Sequence, residues 1–192
     1  GALNDTVKAV KVDGAEATVD NVKAGAYKLS RPFNIATKGE PTGVAKDFIS
    51  FILSKEGQAV VTDNKYIAVN DAAESFVSDG SSGQIAVGGS SSVSPVMEKL
   101  IEAYKSVNPN ASIDLQTSDS TSGMTGAMDG TFAIGMASRE LKDEEAAQLT
   151  GTAIALDGIA VIVNPANTID ELSMDQIKSI YVGDITDWGD LA

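Results

Sequence analysis

Apolar and polar positions alternate along "TVKAVKV" (residues 6–12), which predicts a strand. A "DG" turn follows, and Thr18 stands as the cap of a short helix stopped near Gly25. "RPFNIATKG" (31–39) reads as a strand after its proline. Ala45, Phe48, Ile49 and Ile52 then recur at helical spacing and predict a helix with one apolar face; a second short helix runs from Ser54 through Val61. "YIAV" (66–69) reads as a short strand, whereas "NDAAESFVSDGSSG" (70–83) keeps neither period and reads as a linker.

A new pattern begins with "QIAVGG" (84–89), a buried strand, followed by a helix that sets Val96, Leu100, Ile101 and Tyr104 on one side. "SIDLQ" (112–116) is a strand, "STSGMTGAMDG" (120–130) a small-residue loop and helix, and "TFAIGMAS" (131–138) a strand with a polar tip. This strand–helix alternation is a βαβ rhythm and predicts an α/β fold. "SRELKDEEAAQL" reads as a short charged helix and "TAIALDGIAVIVNP" (152–165) as one long apolar strand with Asp157 inside it. In the last segment Ser173 and Gln176 have capping-box spacing ahead of a periodic Met174, Ile177, Ile180 and Tyr181.

Composition removes whole classes of chemistry. With no cysteine the chain makes no disulfide, thiolate nucleophile or thiolate-bound metal, and with no histidine it has no Ser/His triad and none of the usual zinc sites. The expectation is a chain that is not an enzyme and carries no metal or cofactor. A formal charge of −13 argues against nucleic acid and anionic membrane as partners. The apolar runs "FISFIL" and "IAVIV" are far short of a membrane span, and no basic-then-apolar leader opens the sequence, so the expectation is that any export signal has already gone or was never there.

Hydroxyls gather where strands give way to helices. In "VGGSSSVSPVMEKL" (87–100), Ser94 is placed as N-cap with Pro95 at the first helical position, leaving Ser90, Ser91 and Ser92 as the strand-to-helix loop. A loop beside a helix N-terminus offers free N–H groups and a partial positive charge, which suits an oxyanion; a plain flexible turn is the alternative. Ser118, Ser120, Thr121 and Ser122 repeat the arrangement, and Ser138-Arg139 follows a third strand. If these strands are parallel in one sheet, the three loops converge on one crevice at its carboxyl edge. Asp157 amid apolar residues is costly unless hydrogen-bonded or paired, so it is either a strand-break residue at a domain crossover or an acceptor for a protonated oxyanion. Arg139 is the natural counter-charge, against a surface pair with Glu140 or Asp143.

With those loops in view, "GGSSSVSPVMEKLIEAYKSVNPNASIDLQTSDSTSGMTGAMDGTFAIGMASRELKDEE" and then "ALDGIAVIVNPANTIDELSMDQIKSIYVGDITDWGDL" resemble the beginning of the phosphate-binding protein of ABC-type phosphate uptake systems. The segment from "GALNDTVKAVKVDG" to "YIAV" resembles that family's C-terminal portion, so the order is circularly permuted; the family's middle portion, with its Gly-Ser-Gly-Thr loop, is absent. The resemblance implies a periplasmic-binding-protein-like (type II) two-domain α/β fold. Residues 32–156, with the linker 70–83, form the complete first domain, and 1–31 with 157–192 are parts of an incomplete second one. It also implies inorganic phosphate as ligand, bound by Ser91, Ser92, Ser120, Ser122, Ser138 and Arg139. Some members carry an aspartate where this chain has Ser138, which leaves Asp157 as the carboxylate acceptor. The implied setting is extracytoplasmic, in the periplasm or on the outer face of the cell membrane, with a lipid anchor in the full precursor. The implied partners are a membrane ABC permease and a further polypeptide segment completing the second domain. A phosphate-binding surface or signalling protein of the same fold, uncoupled from transport, is the alternative.

Overall fold

The computed structural model describes residues 4–191, which divide into two units. One comprises the chain up to Ser30 together with the chain from Gly158; the other is Arg31–Asp157.

The larger unit is built on a five-stranded sheet of order β5-β4-β6-β3-β7, with β3 at Ser30–Thr37, β4 at Gly83–Ser90, β5 at Ala111–Ser118, β6 at Ile134–Ala137 and β7 at Thr150–Gly158. β4 runs parallel to both β5 and β6, with Ser90 opposite Ser118 and Gly89 opposite Met136, so the carboxyl ends of these three strands are level. β3 is antiparallel to β6, with Asn34 opposite Ala137, and its first residues therefore stand at that same edge. The helices are α2 (Gly43–Leu53), α3 (Lys55–Asp63), α4 (Ser94–Val107), α5 (Ser120–Asp129) and α6 (Asp143–Ala146). Phe48 and Ile52 of the apolar stripe on α2, with Val96, Leu100 and Tyr104 on α4, join Phe33, Ile35, Val87 and Ile134 in one buried core.

The smaller unit contains two two-stranded ladders. β1 (Lys8–Ala9) pairs antiparallel with β8 (Ile162–Val163), and β2 (Lys11–Val12) pairs parallel with β9 (Glu171–Leu172). Its helices are α1 (Val19–Lys23), where the Thr18 hydroxyl accepts from the Asn21 amide, and α7 (Met174–Val182). At α7 the expected capping box is complete: Ser173 Oγ accepts from the Gln176 amide at 3.1 Å and Gln176 Oε1 from the Ser173 amide at 2.8 Å. Of the apolar side read from the sequence, Ile177 is buried while Tyr181 is 83% exposed.

Four local expectations change. "YIAV" forms only an isolated bridge, Ile67 to Leu156, in place of a strand. The long apolar run after Thr152 is broken after Gly158 and resumes at Ile162, so it serves both units in turn. Ser94 lies inside α4 rather than capping it; its hydroxyl bonds Thr117 Oγ1 at 2.8 Å and Ser90 O at 3.3 Å. The linker has no regular structure from residue 73 to 82, yet it is pinned. Phe76 packs edge-on to Phe51 and Tyr104, Ser78 Oγ and the Asp79 amide donate to Asp47, and Ser81 O accepts from Asn108.

Candidate anion site at the carboxyl edge of the sheet

The three hydroxyl loops meet because the strands that carry them are neighbours in parallel register. Two hydrogen bonds tie them together: the Ser91 amide donates to Ser118 O at 2.9 Å, and the Ser138 amide donates to Ser120 Oγ at 3.1 Å. The first joins the β4–α4 loop to the end of β5; the second joins the start of α5 to the end of β6. Ser91 is exposed, and Ser92, Ser120 and Ser138 are half-buried, so their hydroxyls lie at or near the surface of this edge.

Close backbone packing holds α5 there. A Cβ on Gly123 would stand 2.6 Å from Met136 O and 2.7 Å from Gly89 Cα, so only glycine lets the helix approach β4 and β6 this closely. Gly89 reciprocates: its φ of +136° is the region glycine tolerates, and a Cβ there would collide with Met136 O. The run of small residues in "STSGMTGAMDG" is thus a packing device that brings a helix N-terminus to the strand ends.

Asp119 caps α5, which the sequence reading missed. Its Oδ1 accepts from the amides of Thr121 (2.8 Å) and Ser122 (3.0 Å), and its Oδ2 from the Ser122 hydroxyl (2.7 Å). Those bonds, the Ser122 hydroxyl foremost, hold its carboxyl below the usual carboxylate range. Ser122 is therefore engaged in capping. Aspartate followed by hydroxyl residues at a helix start was the available signal.

Arg139 pairs with neither Glu140 nor Asp143 through their carboxylates. Its guanidinium makes a two-pronged bond to Glu145, Nη1 to Oε2 at 2.7 Å and Nη2 to Oε1 at 2.8 Å; Nη1 also donates to Glu140 O. The Glu145 side chain is 3% exposed, and the guanidinium holds its carboxyl low despite burial. Asn34 Nδ2 grips Arg139 O at 3.0 Å, and Nη2 reaches toward Thr121 Oγ1 at 3.4 Å. Among the described residues nothing accepts from Arg139 Nε. The arginine is thus aimed at the start of α5 by a buried carboxylate six residues downstream, a pairing hidden inside a segment that read as a plain charged helix.

Asp157 is not brought together with the hydroxyl loops. It pairs with Arg31, which donates from Nε and Nη2 to Oδ2, each at 3.0 Å, and Arg31 also lies over the Phe33 ring. The pair fastens the end of β7 to the start of β3. In the strand order this is two spacings from β6, which carries Ser138, and three from β4, about 10 and 14 Å. The partner Asp157 needed is Arg31, and the carboxylate standing beside the hydroxyls is Asp119.

Known proteins give a consistent setting. A model for the PBP superfamily domain matches residues 75–192. The phosphate-binding protein PstS 2 of Streptococcus agalactiae is 52% identical over 194 residues, covering 100% of this chain and 66% of the relative, so the chain spans about two thirds of that protein. That alignment runs end to end in residue order, and the order that reads as permuted is therefore shared with this relative. A crystal structure of a phosphate ABC transporter, phosphate-binding protein from Streptococcus pneumoniae superposes with a TM-score of 0.95 at 46% identity, covering 100% of this chain and 74% of that one. A putative phosphate ABC transporter substrate-binding protein with bound phosphate from Clostridium perfringens matches 57% of this chain and 45% of its own, with TM-score 0.51 and 44% identity. The fold, the matched superfamily domain and the extent of identity together establish that the chain belongs to the phosphate-binding proteins of ABC transporters, within the PBP superfamily.

Proposed function

We propose that this chain binds inorganic phosphate as the receptor of an ABC phosphate importer, on the extracytoplasmic side, and hands it to a membrane permease without chemical change. The observation that carries the reading is the joining of three hydroxyl loops at one sheet edge through Ser91–Ser118 and Ser138–Ser120. Ser91, Ser92, Ser120 and Ser138 supply neutral donors, the N-terminus of α4 supplies amides, and Arg139, held by Glu145, supplies the one cationic group of the set. Neutral donors suit an anion in a chain of net charge −13, because they attract it locally without relying on the long-range field.

The reading includes a further segment that completes the smaller unit. A chain spanning 66% of the S. agalactiae relative's length supports that, as do the two-stranded ladders and exposed Ile159, Ile162, Tyr181 and Val182 of this unit. The test is calorimetric titration with phosphate of the 192-residue chain and of a form extended to the relatives' length. Saturable binding in the extended form, weaker in the chain alone, is the expected result. Absence of phosphate binding in both overturns the proposal.

A further inference from the structure

The two edges of the five-stranded sheet differ. On β7 the backbone of Leu156 exchanges both hydrogen bonds with Ile67, at 2.9 and 3.0 Å, so the chain itself covers part of that edge. Beyond β5, among the described residues, no strand pairs. β5 keeps unbroken parallel register with β4 from Ala111 to Ser118, so it has no bulge, and its sequence "ASIDLQTS" has no proline and no lysine. Those are the devices that blunt a long edge against pairing with another chain, and β5 carries none of them.

We propose that this edge is a docking surface for a second copy of the chain, the two β5 strands pairing antiparallel about a two-fold axis through Leu115.

Local geometry selects that register. In a parallel pair both backbone groups of a residue face one neighbour and those of the next residue face the other way. The carbonyls of Asn110 and Ser118 accept from the Gly83 and Ser91 amides on the β4 side, so the even-numbered residues are turned inward. Ile113, Leu115 and Thr117 therefore present N–H and C=O at the open edge. A two-fold axis normal to the sheet keeps the same face of both copies on one side, and so opposes residues of like parity. With Leu115 on the axis, it meets its own copy and Ile113 meets Thr117, each pair exchanging both backbone bonds.

Between those pairs Asp114 meets Gln116. Both are exposed, whereas Ile113 and Leu115 pack against the core of their own copy. Gln116 Nε2 donates to Asp114 Oδ2 within the strand at 2.8 Å, which leaves its second amide hydrogen for the copy's Asp114. Moving the axis to Asp114 sets two carboxylates directly opposite, which is destabilising, and moving it to Gln116 shortens the paired stretch. Charge complementarity thus picks the Leu115 register, and a strand of identical sequence supplies both halves of it.

Sedimentation velocity and residue-resolved amide exchange on the 192-residue chain, across a dilution series, test the contact. The expected result is a dimer in which the amides of Ile113, Leu115 and Thr117 are protected in concentrated but not in dilute samples, while those of Asp114 and Gln116 are protected in both. Gln116→Glu, at an exposed position, opposes carboxylates on both sides of the axis and is expected to raise the dimer dissociation constant about tenfold. Adding Asp114→Lys to that variant restores pairing, since each glutamate then faces a lysine. Three results overturn the proposal. A chain monomeric throughout leaves the edge to a strand of another protein; equal protection of the three outward amides at every dilution means that the chain covers its own edge; a dimer indifferent to Gln116→Glu has its contact elsewhere, as on the exposed apolar residues of the smaller unit.

Discussion

Replacing Asp47 by alanine tests whether the irregular segment between the two halves of the larger unit is an integral part of its structure. Asp47 is 3% exposed and takes four donors: Tyr104 Oη at 2.7 Å, Ser78 Oγ at 2.8 Å, the Asp79 amide at 2.9 Å and Asn108 Nδ2 at 3.2 Å. Burial alone would raise its carboxyl; the four bonds outweigh that and depress it. In the alanine variant Ser78 and Asp79 reach water, and Asn108 keeps Ser81 O and Tyr104 Oη. The Tyr104 hydroxyl, 1% exposed, loses its acceptor. One stranded buried donor plus the lost bonds to a charged acceptor gives a cost of about 4 kcal/mol, and Asp47→Asn, which keeps the shape, about half of that. A group with a depressed folded pKa contributes stability above its unfolded value of about 4, and that contribution fades as pH falls through the folded value. The gap between native protein and Asp47→Ala should therefore be widest at neutral pH and close in acid. Urea unfolding followed by circular dichroism across pH 7 to pH 2 measures the gap, and hydrogen exchange at residues 76–82 reports release of the segment. A loss below about 1 kcal/mol at pH 7, or a gap unaffected by acid, refutes the reasoning.

The other expectations follow from the same geometry. Gly123→Ala should cost about 1–3 kcal/mol and abolish phosphate binding together, since the colliding atoms are backbone; Thr125→Ala, exposed on the same helix, should do neither, and denaturation with titration checks both. Glu145→Gln should lower phosphate affinity about tenfold by loosening Arg139, and should remove a stabilising contribution that, with the Glu145 carboxyl held low, is present above the unfolded carboxylate pKa and lost in acid; titration and pH-dependent unfolding read the two effects. Asp157→Asn should destabilise the larger unit by about 1 kcal/mol through loss of the Arg31 pair, which urea denaturation checks.

Periodicity disclosed most of the helices because their burial is one-sided: Phe48 and Ile52, or Val96, Leu100 and Tyr104, face one core. The capping box at Ser173 and Gln176 was visible for the same local reason. Long-range pairing was not. That Arg139 belongs to Glu145 and Asp157 to Arg31 depends on which strands are neighbours, and no spacing encodes it. The segment around Phe76 looked like free linker because its anchors are a single aromatic ring and side-chain bonds to Asp47, neither of which repeats along the chain. The break after Gly158 was masked by an apolar run that two units share. The hydroxyl clusters were conspicuous, but Asp119 between them read as one more polar residue until the bonds at the start of α5 gave it a direction.

The Arg31–Asp157 pair has a consequence beyond holding two strands together. These are the first and last residues of the larger unit, and a 3.0 Å ion pair makes its entrance and its exit coincide. A module whose two ends meet is insertable: it can be placed within another polypeptide without stretching the host, and its ends can be closed by a short peptide into a ring. Once entrance and exit adjoin, where the gene starts within the module matters little to the folded object, provided the new cut falls on the surface. Segment order then becomes a property of the gene rather than of the architecture, and a family of such receptors is free to read its pieces in more than one sequence.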